Sequence, residues 1–214
     1  MEIRKKIPPA HAIGRLSASA TVVICIVYAA TLFAGSVVSG LPREPYFALA
    51  EILTMISSVV LVMLMAAIHL RTPAPYKIFS LLGLGWMFVL AGITMTVHFA
   101  KLTVGRQLDG EARAAFARLF DFEWPSLLYA VEFAAWHIGF GMSVLFAAFA
   151  FRGAGRERTV RIGLIATGIL CLAGLAGPVA GDLNWRLVGV FGYAVVFPVV
   201  CVPIARIFRS SPEQ

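Results

Sequence analysis

Glu51, His69, His98, Glu132 and His137 stand inside or at the edge of long apolar runs. An ionisable side chain in hydrocarbon is costly, so a residue of this kind marks a site of binding, proton movement or helix pairing. Carboxylate and imidazole together allow three kinds of chemistry. They can hydrogen-bond to one another across helices, recognise the polar end of an amphiphile, or ligate a metal such as zinc.

Spacing sorts the candidates. Glu51, Thr54 and Ser58 fall at i, i+3 and i+7, which makes one polar stripe on a helix. Thr94, His98 and Lys101 line one side of a second helix, and Tyr129, Glu132, Trp136 and Ser143 share a face of a third. Lipid offers such stripes no partners, so they must face the bundle interior or a wet cavity. His137 follows Glu132 at an offset of about 140° on an α-helix, which argues against a direct pair. The expected ligand-binding set is therefore Glu51, Thr54, Ser58, His98, Tyr129, Glu132, Trp136 and His137. His98 and Glu132 are the candidates for a metal, and no cofactor or catalytic residue is identified. His69 lies beside Arg71 at a helix end and is expected to reach the headgroups.

The elements that carry these residues follow from composition. Hydrophobic residues make up 60% of the 214 positions and charged ones only 14%, against about 25% in soluble domains. A mean hydropathy of +0.87 exceeds what one soluble core can absorb, so the surplus must face lipid. A span needs about 20 apolar residues to cross the hydrocarbon layer. Six stretches qualify: 17–40, 46–70, 78–102, 125–151, 162–181 and 186–208. The reading is an all-α integral membrane bundle in one polytopic domain over 1–214. The first apolar run is too long for a signal peptide and is expected to stay as a span.

Charge sets the orientation. With the amino terminus inside, twelve of the eighteen basic residues face the cytoplasm: Arg4, Lys5, Lys6, Arg15, Arg71, Lys77, Arg152, Arg156, Arg158, Arg161, Arg206 and Arg209. The positive-inside rule then predicts both termini in the cytoplasm, and the expected location is a bacterial-type inner membrane. A net charge of +7 thus reflects topology and anionic headgroups, not nucleic acid. In this frame Glu51, His98, Glu132 and His137 all lie in the outer half. The outer connector 103–124 has the spacing of an amphipathic surface helix, with Trp124 and Trp185 at the interface. Ala173, Gly177 and Gly181 form a small-residue stripe suited to close helix packing, and Pro198 and Pro203 are expected to bend the last span. The isolated cysteines Cys25, Cys171 and Cys201 read as packing residues.

Sequence motifs exclude more than they assign. Asp109-Gly-Glu-Ala-Arg113 misses the phosphatidyl-alcohol transferase signature by one residue and lacks its later glycine and aspartates. The mix of membrane histidines, serine and acid is superficially similar to alkaline ceramidases, which use three histidines, an aspartate and a serine around zinc. Only His98 and His137 are available here in the outer half. No phosphate-binding loop, nucleophile elbow or His-Glu-x-x-His helix is present. The expected function is binding or moving a lipid-like or small amphiphilic ligand, with membrane lipids as partners and Lys101 and Arg186 drawing an anionic headgroup. A metal-dependent intramembrane hydrolase and a structural subunit of a membrane complex are the alternatives.

Overall fold

A computed structural model describes residues 9–39, 44–121 and 124–209. Arg4, Lys5 and Lys6 from the topology argument lie outside the described residues.

Apolar runs with no water to satisfy the backbone must coil into helices, where every N–H finds a carbonyl in its own segment. The described residues form helices and turns with no strand. In chain order they are α1 (Pro9–Ser39), α2 (Tyr46–Arg71), α3 (Lys77–Ala100), α4 (Gly110–Phe120), α5 (Leu127–Ala134), α6 (Gly141–Ala148), α7 (Arg156–Ala173), α8 (Ala176–Ala180), α9 (Arg186–Phe191) and α10 (Phe197–Arg209). Three π-helical stretches interrupt them: Lys101–Gly105 after α3, Ala135–Phe140 between α5 and α6, and Gly192–Val196 between α9 and α10.

Six stretches are long and apolar enough to cross a membrane: Pro9–Val37, Tyr46–Arg71, Ala74–Gly105, Leu127–Ala148, Arg156–Ala180 and Leu183–Arg209. They match the six predicted runs, although the first and fifth begin earlier than expected. The protein is a multi-pass membrane protein with an all-α fold. Its spans form a ring of neighbours, α1 on α2, α2 on α3, α3 on α6, α6 on α7, α7 on α10 and α10 back on α1. His11 near the start of α1 meets the edge of Phe208 at the end of α10, 5.7 Å between ring centroids, so both described ends lie on one side.

That terminal half holds the apolar core. Leu61, Leu64 and Ile68 of α2 pack with Val144, Ala147, Leu164, Cys201, Ile204 and Phe208, all buried. Arg71 is ion-paired with Glu157, tying the end of α2 to the start of α7. His69 is half-buried rather than turned to the headgroups, because its Nδ1 lies 2.9 Å from the Ser80 hydroxyl of α3.

Two packing expectations change in the fifth span. Gly181 does not pack at all; its φ of +75° is the left-handed conformation that ends α8, and a Cβ there would meet open space. Gly174 is the close-approach residue instead, since a Cβ there would lie 3.0 Å from the backbone nitrogen of Gly189. In the sixth span the π-helical stretch ends two residues before Pro198, whose missing N–H removes one rung of the helical ladder. α4 forms where the connector's spacing places it, with none of its residues buried.

Candidate functional site

In the half away from the termini, three spans bring their acids and bases together. Glu51 sits in the second turn of α2, His98 near the end of α3, and Glu132 in the second turn of α5. His98 bridges the two acids. Its Nδ1 is hydrogen-bonded to Glu51 Oε2, and its Nε2 lies 2.9 Å from Glu132 Oε1. Lys101 Nζ donates to the other oxygen of Glu51 and lies 4.4 Å from the centre of the Phe47 ring. All four side chains are buried.

Local structure explains the convergence. His98 and Lys101 are one helical turn apart, so they point the same way from α3. The π-helical stretch begins at Lys101, a wider turn that re-aims side chains and recurs at functional sites. Lys101, expected both on the inward stripe of Thr94 and His98 and as a group drawing an anionic headgroup, is held inward by Glu51, because a buried ammonium needs a paired anion.

Charge balances within the cluster. If His98 is doubly protonated between two carboxylates, the four groups sum to zero. If His98 is neutral and one acid holds the proton, the sum is still zero. A net-neutral cluster of mutually paired groups is the form in which ionisable groups survive away from water.

Glu132 carries an uneven load. Its Oε1 accepts from Thr94 Oγ1 at 3.1 Å and Trp136 Nε1 at 2.6 Å, besides facing His98. Its Oε2 is buried with no hydrogen-bond partner among the described residues. Leaving a buried acceptor unsatisfied costs about 1–3 kcal/mol, more when charged, so this oxygen is poised for a donor.

The other predicted residues divide. Thr94, Lys101 and Trp136 belong to the cluster. Thr54 and Ser58 lie on the same α2 stripe but bond their own helix backbone, to Ala50 at 2.9 Å and Met55 at 2.7 Å. Ser143 donates instead to Gly83 of α3 at 2.6 Å, a helix-packing bond. Tyr129 stacks beside Phe133 and meets Trp124 edge-on.

His137 faces elsewhere. Its Nδ1 lies 3.0 Å from the Phe133 carbonyl and its Nε2 3.4 Å from that of Arg186. The ring stacks on Phe133 at 3.7 Å and sits against Gly174 and Gly189, where a side chain would collide with it. The offset from Glu132 expected from helical geometry is thus real, and His137 joins α7 and α9 rather than the acid cluster.

Sequence reasoning missed two phenols. Tyr28 lies on α1, the helix packed against α2. Tyr193, in the last π-helical stretch, packs at 5.0 Å on Trp136, the residue whose indole donates to Glu132. A hydroxyl inside a span needs a partner, and that requirement was the available signal.

Metal ligation fits poorly. Both nitrogens of His98 are already engaged by carboxylates. Among the described residues no three His, Cys, Asp or Glu side chains are placed to hold one ion.

A cavity of about 150 Å³ lies beside the cluster, beneath α4. Lys101, Phe47, Arg106, Arg113, Phe116 and Phe120 are among its walls. Glu44 pairs with Arg106 at 3.0 Å across its rim.

Comparison with known proteins finds no matching family model, no matching curated protein and no matching solved structure.

Proposed function

We propose that this protein binds, or moves between leaflets, a lipid-like or small amphiphilic molecule whose polar end carries a hydrogen-bond donor. The observation that carries this reading is Glu132 Oε2, buried and unpartnered among the described residues while Oε1 takes three contacts. A ligand hydroxyl or amine reaching Oε2 would satisfy it. Tyr28, Trp136 and Tyr193 would supply aromatic walls, the mix of apolar surface and few polar groups typical of such pockets.

Access from the bilayer is consistent with the packing. α1 reaches the last span through α10, whereas α9 is held by α7. Ile26, Val27 and Tyr28 of α1 are exposed. An amphiphile in the outer leaflet of a bacterial-type inner membrane would approach there, tail in lipid and head towards Glu132.

A second reading rests on the direct Glu51–His98–Glu132 pairing, which also suits a device that only fixes helix register. Mass spectrometry of lipids retained by the detergent-purified protein, paired with elemental analysis, separates these readings. The proposal expects a specific lipid held by the wild type and lost from Glu132→Gln. No retained lipid in either protein would favour the helix lock, and stoichiometric zinc lost in His98→Ala would favour the hydrolase.

A further inference from the structure

On the opposite side of the molecule, α1 and α10 enclose a groove of about 370 Å³. Arg15 and Ser19 of α1 and Arg206 and Arg209 of α10 line it at one end, with Val22, Cys201 and Val202 towards the other. Among the described residues its lining contains no Asp or Glu.

The order of these residues along the helices carries the argument. Arg15, Ser19 and Val22 fall at i, i+4 and i+7 on one face of α1. Cys201, Val202, Ala205, Arg206 and Arg209 form the matching strip on α10. The helices are antiparallel, so both run from charged at the chain-terminal end to apolar roughly 10 Å deeper. Phospholipid has this profile, an anionic phosphate above hydrocarbon, whereas free phosphate has no use for the apolar floor.

Helix electrostatics account for only part of the arrangement. Arg206 and Arg209 complement the carboxyl-terminal end of α10, whereas Arg15 lies in the second turn of α1, beyond the reach of that helix's end charge. At the predicted cytoplasmic face, basic grooves between spans are suited to anionic headgroups.

We infer that the α1–α10 groove is a binding site for one anionic phospholipid, its phosphate held by Arg15, Arg206 and Arg209 and its glycerol end lying over Val202 and Val22. The site is separate from the Glu132 cluster and does not depend on its function.

Native mass spectrometry after incubation with equal phosphatidylglycerol and phosphatidylcholine tests the assignment. Wild type is expected to retain one phosphatidylglycerol per chain with roughly tenfold preference, and Arg15→Gln/Arg206→Gln/Arg209→Gln to fall to parity. Val202→Trp keeps all three arginines but fills the groove, and is expected to lose most of the preference. Thermal unfolding in detergent at the wild-type midpoint verifies that each variant is folded, and Val202→Phe replaces the larger variant if needed. No preference in wild type would overturn the inference. So would full preference in the folded, groove-filled variant, which would indicate diffuse surface attraction. Displacement of the lipid by an equal concentration of inorganic phosphate would also overturn it, making the groove a phosphate site.

Discussion

His98 and Glu132 meet across α3 and α5 through Nε2 and Oε1 at 2.9 Å, and this contact turns one carboxylate oxygen into a crowded acceptor while the other is left unpartnered among the described residues. Glu132 is therefore both a structural and an available group. The predictions below separate those roles.

Removing the bridge exposes the structural role. His98→Ala would leave Glu51 and Glu132 buried without their shared imidazole, at a cost of about 3 kcal/mol. The detergent-solubilised variant should unfold at a clearly lower temperature. An unchanged midpoint would show that the bridge contributes nothing to helix register.

Lys101 should depend on Glu51 in the same way. Lys101→Met strands a buried carboxylate, whereas Glu51→Gln/Lys101→Met removes both charges. A double-mutant cycle on thermal stability should give a coupling of about 1–3 kcal/mol. Additive effects would mean that the pair is not energetically linked.

His137 should behave as a packing residue of α7 and α9. Gly189→Ala places a methyl group against its ring and should cost about 1–3 kcal/mol, as overpacking does. The same substitution in a His137→Ala background should cost less, because the ring clash is gone and only the Cys171 carbonyl, 3.2 Å from the new methyl, stays close. Equal costs in both backgrounds would place the strain elsewhere.

How much of this was readable beforehand depends on what lipid forbids. The six spans and the inward stripes of Glu51, His98 and Glu132 were legible because hydrocarbon satisfies neither a bare backbone nor a bare carboxylate. Helical arithmetic also separated His137 from Glu132. Partner identity was not legible, since the Glu51–His98 bond joins residues 47 positions apart and depends on how α2 meets α3. The stripe of Thr94, His98 and Lys101 already pointed inward, but it carried no sign that Lys101 would pair with Glu51. Gly181 looked like a packing residue because spacing alone cannot distinguish a helix contact from a left-handed cap. Tyr28 was overlooked because α1 offers no stripe around it.

The most direct test of the proposed function uses two probes that differ in one property, mono-olein with donor hydroxyls and methyl oleate without any. Their binding to wild type and Glu132→Gln can be measured by tryptophan fluorescence, with Trp136 beside Glu132 as reporter. The account predicts that wild type binds mono-olein at least about tenfold more tightly than methyl oleate, the worth of one hydrogen bond to a buried, otherwise unsatisfied acceptor, and that Glu132→Gln abolishes the difference. Equal binding of both probes to wild type, or a preference that survives in Glu132→Gln, would contradict it.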